Sequence, residues 1–353
     1  MVCYHPIEAW IHTHSKTENG KDKLVFSYHP KTCAQTTPDL QVPCGRCIGC
    51  RLAKAREWSV RCMHEASLYW ENCWLTLTMN DDYLYSRENP YSLERGNNSE
   101  ITRFLKRLRK KYGSGIRYFY CAEYGETCFF CNKSETDCHS KGCGEYHAWR
   151  GRPHYHVCIF NHDFNDKTLY KMINGKPHYN SEELDSLWTD PKTGVNMGYA
   201  TISELNEDTA GYTARYSLKK ITGALAEEED PDTGLRYYER LTEDGQIISL
   251  EPEYVNMSRG SKKLGTGGIG KGWLDKYSKE VLDNDSVLYK ELRIQPPKYY
   301  DKIHERIAPL DLEENKLLRV DKAENDVNNT EERLSTREYI TLQKTEKLYR
   351  KEI

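Results

Sequence analysis

The chain has 353 residues and a formal charge of −3, from 51 Lys and Arg against 54 Asp and Glu. This length suffices for one large domain or two ordinary ones, and the balanced charge gives no overall attraction to nucleic acid. No apolar run approaches the roughly 20 residues that span a bilayer. The N-terminus also lacks the charged and apolar regions of a signal peptide. We therefore expect a soluble protein that is neither exported nor bound to a membrane.

Thirteen cysteines in a chain that is not exported argue against disulfides and for metal. A first group, Cys44-x2-Cys47-x2-Cys50, has Cys3 and Cys33 upstream as candidates for the fourth ligand. The spacing favours tetrahedral zinc. Unliganded structural cysteines and an iron–sulfur cluster are the alternatives, and the cluster is disfavoured because no fourth cysteine follows shortly after Cys50.

A second cysteine group lies in an excursion over residues 125–151, between two predicted strands. Its members, with two histidines inside or beside it, are Cys128, Cys131, Cys138, Cys143, His139 and His147. A loop this long without a core of its own needs a staple, which favours structural zinc. A flexible loop with incidental cysteines is the alternative.

Periodicity predicts the elements on both sides of this excursion. We expect an irregular segment over residues 1–50, helices over 51–70, 101–112, 181–188 and 206–221, and strands over 73–79, 116–124, 153–160 and 199–202. Ser99 and Ser181 are the expected N-caps and Gly113 is an expected C-cap. Composition divides the chain into a cysteine-rich segment (1–50), a core (51–225), an extension (226–309) and a charged tail (310–353) that is helical or partly disordered.

The strand that follows the excursion carries His154 and His156. Residues i and i+2 of a strand face the same side, so both imidazoles converge on one point. A divalent metal accepts this arrangement if a neighbouring strand supplies a third ligand. Two solvent-facing histidines on an amphipathic strand are the alternative, and the short pattern alone does not decide.

The predicted helix over residues 206–221 contains Tyr212, Tyr216, Lys219 and Lys220. Residues i and i+4 are neighbours on a helix, so the two tyrosines share a face, with the lysines close beyond them. A phenol with a pKa of about 10 is a weak nucleophile unless nearby cations stabilise the phenolate and a metal polarises the electrophile. Otherwise both tyrosines merely fill the core.

Two further stretches are candidates for contact with DNA. Basic residues without any acid among them run from residue 103 to residue 117, and the candidate DNA ligands are Arg103, Lys106, Arg107 and Lys110. Gly265–Lys271 matches the spacing of a phosphate-binding loop, but Gly272 stands where Ser or Thr belongs. We therefore favour a flexible contact with the DNA backbone over nucleotide hydrolysis there.

Taken together, the His-Tyr-His strand, an upstream strand that ends in a carboxylate and a downstream helix with Tyr-x3-Tyr-x2-Lys-Lys resemble the HUH endonuclease superfamily. Other stretches are similar to microvirus replication initiators of the gokushovirus type: residues 44–51, 57–58, 61–66, 254–259 and 296–301. The resemblance covers roughly residues 1–310. Each motif alone is weak, whereas their order and spacing together are specific.

The resemblance implies an α+β fold with a central antiparallel sheet flanked by helices. It implies that Mg²⁺ or Mn²⁺ is held by Glu123, His154 and His156, and that a tyrosine nicks single-stranded origin DNA. The expected products are a 5′-phosphotyrosine and a 3′-OH that primes rolling-circle synthesis, with the second tyrosine allowing the strand to be rejoined. Lys219 or Lys220 would neutralise the phosphate or phenolate. A host helicase is the expected further partner, in the cytoplasm of a bacterial host cell.

One ligand and the function itself have alternatives. Glu145 stands in a near copy of the Glu123 context and lies closer to His154; we favour Glu123 because residues 116–124 have strand character. A zinc-containing DNA-binding protein without catalysis is the rival function. A plasmid-type initiator or transposase of the same superfamily is a second rival.

Overall fold

A computed structural model describes residues 3–18, 20, 22–125, 151–215, 220, 224–231, 234–242, 245–261, 263 and 265–349. The chain divides into two units, Met1–Lys54 with Asp301–Ile353 and Ala55–Tyr300. None of the described helices is both long and apolar enough to cross a membrane. The four-part division expected from composition stays a prediction.

The described strands are β1 (Ile7–Lys16), β2 (Asp22–Val25), β3 (Leu40–Val42), β4 (Asn72–Thr78), β5 (Arg117–Tyr124), β6 (Pro153–Phe160), β7 (Thr168–Ile173), β8 (Lys176–Asn180), β9 (Ala200–Ser203), β10 (Glu239–Leu241), β11 (Ile247–Ser249), β12 (Tyr254–Met257), β13 (Val287–Tyr289) and β14 (Leu292–Ile294). The described helices are α1 (Ile48–Ala66), α2 (Asp81–Tyr85), α3 (Glu100–Tyr112), α4 (Glu182–Leu187), α5 (Glu207–Arg215), α6 (Ala224–Glu227), α7 (Lys271–Asn284), α8 (Lys298–Ile307), α9 (Pro309–Glu324) and α10 (Glu331–Tyr349).

The larger unit is built on a seven-stranded sheet with the strand order β12-β5-β6-β4-β9-β8-β7. Every described pairing in this sheet is antiparallel. The predicted α+β fold, with a central antiparallel sheet flanked by helices, is confirmed. The strands that carry the predicted site, β5 and β6, are adjacent, as expected for an excursion that joins two neighbouring strands.

One face of the sheet packs against α3 and α4 and forms the main hydrophobic core. Ser99 caps α3 by accepting a hydrogen bond from the Thr102 amide, and Gly113 ends the helix at φ 110°, as predicted. The apolar stripe of α3 then faces the sheet and is buried. Trp188, directly after α4, packs edge-on against Phe104 and Tyr155.

The opposite face of the sheet is covered by α1 and α5. Trp58 of α1 stacks on Phe119 of β5 with ring centroids 5.0 Å apart, and Thr213 of α5 is fully buried against the sheet. Helices therefore cover both faces of the central strands, which explains why β5 and β6 read as nearly continuous apolar runs.

The smaller unit differs from its prediction at the N-terminus. Residues 1–50 were expected to be irregular, yet β1 pairs with both β2 and β3 in a three-stranded antiparallel sheet. Most residues of β1 are exposed or half-buried, so the strand lacks a clear apolar alternation. The charged tail is helical over α9 and α10, which is one of the two expected states.

Candidate active site

The register of three neighbouring strands brings the predicted metal ligands together. Glu123 of β5 lies directly opposite His154 of β6, and His156 lies opposite Thr76 of β4. Because side chains alternate along a strand, all four side chains project from the same face of the sheet. This is the face covered by α1 and α5.

Both histidines direct Nε2 at a single carboxylate oxygen. The Oε1 atom of Glu123 lies 2.9 Å from Nε2 of His154 and 2.9 Å from Nε2 of His156. The three candidate ligand atoms all lie within 4.8 Å of one another. Burial opposes the ionisation of Glu123, but the charges and hydrogen bonds of both histidines outweigh it and lower the pKa of the carboxyl group.

The remaining ring nitrogens orient the histidines. Nδ1 of His154 donates to the carbonyl oxygen of Arg152 at 3.1 Å, and Nδ1 of His156 lies 3.1 Å from Oγ1 of Thr76. A neutral imidazole that donates through Nδ1 keeps a lone pair on Nε2 for a cation. Two imidazoles and one carboxylate with ordered outer partners are a donor set that fits a divalent metal.

The ring of Tyr212 stands beside this cluster. It lies edge-on to His156, with centroids 5.0 Å apart, and edge-on to Trp74 at 5.9 Å. Trp74 in turn stacks face to face on His156 at 4.8 Å. Tyr212 therefore belongs to the same face and the same aromatic cluster as a candidate metal ligand.

Thr213 holds the tyrosine helix on the sheet. Its Oγ1 accepts a hydrogen bond from Nε1 of Trp74 at 2.9 Å and donates to the carbonyl oxygen of Thr209 at 2.9 Å. The thiol of Cys158 also lies 3.7 Å from this oxygen. These contacts place the neighbouring Tyr212 next to His156.

The excursion leaves and rejoins the sheet at one point. Gly125 donates to the carbonyl oxygen of Arg152, and Gly151 donates to that of Gly125, both at 3.0 Å. A Cβ atom on Gly151 would lie 2.3 Å from the Gly125 oxygen, so only glycine permits this approach. The pairing of Glu123 with His154 is thus held from both sides of the long excursion.

A separate cluster of four cysteines lies in the smaller unit. The sulfurs of Cys3, Cys44, Cys47 and Cys50 lie within 4.8 Å of one another, and backbone amides of Tyr4, Cys44, Arg46, Cys47 and Cys50 donate to sulfurs of this set. Burial opposes a thiolate at Cys44, but the amides of Cys47 and Arg46 and neighbouring thiols lower its pKa to about 7.

Of the two cysteines proposed as the fourth ligand, the structure brings Cys3 to the cluster. Cys33 lies elsewhere, and its sulfur accepts a hydrogen bond from the His29 amide at 3.4 Å. The second predicted group, Cys128, Cys131, Cys138 and Cys143, lies outside the described residues, as do His139, Glu145 and His147.

Comparison with known proteins bears on this architecture. Residues 128–221 match a family model of replication-associated proteins, the ORF2 type. The chain is also 31% identical over 279 residues to the replication-associated protein ORF2 of Spiroplasma virus 4, an alignment that covers 75% of this chain and 68% of that protein. The chain belongs to this family of replication-associated proteins.

Two more members of the replication-associated family align with most of the chain. One is VP4 of Bdellovibrio phage phiMH2K, 28% identical over 88% of this chain and 79% of its own length. Another is ORF4 of Chlamydia phage 1, 22% identical over 77% of this chain and 55% of its own length. The resemblance to microvirus replication proteins is confirmed. No solved structure matches the chain.

The family match spans His154, His156 and Tyr212, but not every predicted site residue is described. Tyr216 and Lys219 lie outside the described residues, and Lys220 is half-buried outside any helix. The described part of the predicted helix ends at Arg215. The sharing of one helical face by the two tyrosines therefore stays a prediction.

The structure does not bring the basic run to the cluster. The run lies on α3, across the sheet from His154, and several of its side chains are bonded within the protein. Arg107 donates twice to the carbonyl oxygen of Leu187, Arg103 donates to the hydroxyl of Tyr83, and Lys106 donates to the carbonyl oxygen of Asn97. Contact of Arg103, Lys106, Arg107 and Lys110 with DNA stays a prediction.

Three residues with clear positions in the site have no role in the sequence interpretation: Trp74, Thr76 and Thr213. Trp74 and Thr76 alternate along the predicted strand over residues 73–79, so their common face is readable from the sequence. What the sequence lacks is the neighbour of that strand, because β4 pairs with β6 and β9 rather than with the next strand in the chain.

Proposed function

We propose that this chain initiates rolling-circle replication by nicking and rejoining single-stranded origin DNA through a tyrosine nucleophile. The observation that carries the proposal is the placement of the Tyr212 ring beside the Glu123–His154–His156 cluster, on one face of one sheet. Membership of a family of replication-associated proteins supports it. Neither feature is needed by a zinc protein that only binds DNA.

In the proposed step, the phenolate oxygen of Tyr212 or Tyr216 attacks a phosphorus atom of the DNA backbone. A phosphorus–tyrosine oxygen bond forms and the bond to the 3′ oxygen breaks, which leaves a 5′-phosphotyrosine and a 3′-OH that takes up a proton. The 3′-OH primes synthesis. After one round, the other tyrosine cleaves the regenerated origin, and the released 3′-OH attacks the first adduct to close the circle.

The residues of the cluster have separate roles in this proposal. Glu123, His154 and His156 hold Mg²⁺ or Mn²⁺, which when bound supplies the positive charge that polarises the scissile phosphate. Thr76 and the Arg152 carbonyl keep both histidines oriented. Lys219 and Lys220 neutralise the phosphate or the phenolate.

The cysteine cluster completes the proposal without taking part in the chemistry. Four sulfurs in tetrahedral reach of one another, with several amides donating to them, suit structural Zn²⁺. Recruitment of a host helicase in the bacterial cytoplasm goes with the proposed initiation. These assignments depend on the family and on donor chemistry, and the zinc assignment is tested separately below.

A cleavage assay tests the proposed activity. Single-stranded DNA of random sequence, labelled at both ends, is incubated with wild-type protein and Mn²⁺, with EDTA, or with His154→Ala in place of the wild type. We expect metal-dependent cleavage at a preferred sequence by the wild type alone. Cleavage that persists in EDTA or in His154→Ala would contradict the proposal.

A further inference from the structure

A second polar cleft lies at the end of the central strands opposite to the candidate active site. It has a volume of about 830 Å³ and is lined by Arg117 at the start of β5, by the C-terminal part of α3 and by residues that follow β12. Glu123 stands six residues further along β5, about 20 Å away at 3.3 Å per residue. The cleft is therefore separate from the Glu–His–His cluster but lies on the same strand.

The charge of the cleft lining is positive. Three arginines line it, Arg109, Arg117 and Arg259, and no carboxylate is among the described lining residues. Buried Glu65 lies 2.8 Å from Nε of Arg117 and balances that charge. The surplus therefore comes from Arg109 and Arg259.

Arg109 is held in place by neutral groups. Its guanidinium donates to the carbonyl oxygen of Ile116 at 2.9 and 2.8 Å and to Oγ of Ser258 at 2.9 Å. It also lies 4.8 Å from the centroid of the Tyr118 ring. These contacts orient the group without neutralising it. Arg259, one residue beyond Ser258, is exposed at the cleft wall.

The other lining groups suit a nucleotide chain. Tyr69 and Tyr118 offer rings, and Asn161 and Asn256 offer amides that both donate and accept hydrogen bonds. A basic groove combined with aromatic rings is how proteins hold single strands, with the charges tracking phosphates and the rings stacking on bases. Planar guanidinium groups fit phosphate oxygens well.

We infer that this cleft binds a phosphodiester segment of the single-stranded DNA whose scissile phosphate lies at the Glu–His–His cluster. The inference rests on the proposed function for the identity of the ligand. Arg109 and Arg259 contact phosphates, and the tyrosines and asparagines receive the bases between them. The cleft thereby sets the position of the strand at a distance from the site of cleavage.

Salt dependence of binding tests the inference without requiring cleavage. A fluorescent single-stranded oligonucleotide of random sequence is titrated by anisotropy in EDTA over a series of NaCl concentrations. The proteins are wild type, Arg259→Ala, Arg109→Gln and the control Arg293→Ala, which removes an exposed arginine from β14. For single strands the slope of log K against log salt changes by about 0.7 for each phosphate contact.

We expect Arg259→Ala and Arg109→Gln each to make the slope shallower by about 0.7, with Arg293→Ala like wild type. Thermal unfolding identifies a variant that fails to fold, and Arg259→Ala decides if Arg109→Gln does. Wild-type slopes in Arg259→Ala would overturn the inference, even when metal-dependent cleavage is intact. Loss of dATP binding in these variants with unchanged DNA slopes would also overturn it, by assigning the cleft to free nucleotides. Changed slopes without any cleavage would support the cleft and contradict the nicking proposal alone.

Discussion

The hydroxyl of Thr213 is predicted to matter for both stability and cleavage. Thr213→Val removes the oxygen that accepts the indole N–H of Trp74 at 2.9 Å and keeps a similar side-chain shape. Both residues are buried, so the N–H is left without its acceptor, at a cost of about 1–3 kcal/mol in the free energy of unfolding. The carbonyl of Thr209 also loses a hydrogen bond, but it keeps the one that the helix backbone provides.

The same substitution loosens the position of Tyr212, because Thr213 is its neighbour and bonds to the tryptophan beneath His156. A displacement of about 1 Å in a reacting group can lower a rate by about 10²-fold, so we expect the cleavage rate to fall by about 10- to 100-fold. Mn²⁺ affinity should stay near wild type, since no candidate metal ligand changes.

Urea unfolding, Mn²⁺ titration and single-turnover cleavage measure the three quantities. Thr168→Val is the matched control, since Thr168 is exposed on β7 and the same change there should stay within about 0.5 kcal/mol. Thr213→Val with the stability and rate of this control would refute the reasoning. So would a loss of Mn²⁺ affinity that accounts for the whole loss of rate.

The remaining predictions concern the two metal sites. Glu123→Gln should abolish measurable Mn²⁺ binding and cleavage because it removes the anionic ligand, and Glu145→Gln should leave both intact. Thr76→Val should weaken Mn²⁺ binding by about 10- to 100-fold, since outer partners of metal-bound histidines have effects of this size; calorimetric titration measures both. Cys47→Ser should remove one equivalent of zinc from purified protein by elemental analysis, whereas Cys33→Ser, at a buried cysteine outside the cluster, should retain it.

Each of these predictions has a clear contrary result. Loss of Mn²⁺ binding in Glu145→Gln alone would assign the carboxylate ligand to the excursion. Wild-type affinity in Thr76→Val would show that the contact with His156 does not orient the ring. Equal zinc content in Cys47→Ser and Cys33→Ser would contradict a zinc site at the four-cysteine cluster.

The elements around the candidate site could largely be predicted from the sequence. The bounds of α3 follow from its two caps and its apolar stripe, and β4, β5 and β6 follow from dense β-forming residues between turn formers. The convergence of His154 and His156 follows from strand periodicity alone. These features depend on local physical chemistry, which a sequence displays directly.

Features that depend on pairing between distant segments could not be predicted in this way. The register that sets Glu123 opposite His154 spans the excursion, and it is held by the close approach of Gly125 and Gly151. The role of Trp74 depends on β4 lying beside β6. The N-terminal sheet was missed because its strands are short or largely exposed and lack a strong apolar pattern.

The most direct test of the central claim is to identify the amino acid that becomes joined to DNA. Wild-type protein is incubated with Mn²⁺ and single-stranded DNA of random sequence, SDS-resistant adducts are isolated, and the DNA is trimmed by nucleases. Mass spectrometry then locates the remaining nucleotide. We predict a 5′-phosphotyrosine at Tyr212 or Tyr216, absent in EDTA and in the double variant Tyr212→Phe with Tyr216→Phe. Adducts at another residue, or an adduct that survives in the double variant, would contradict the account.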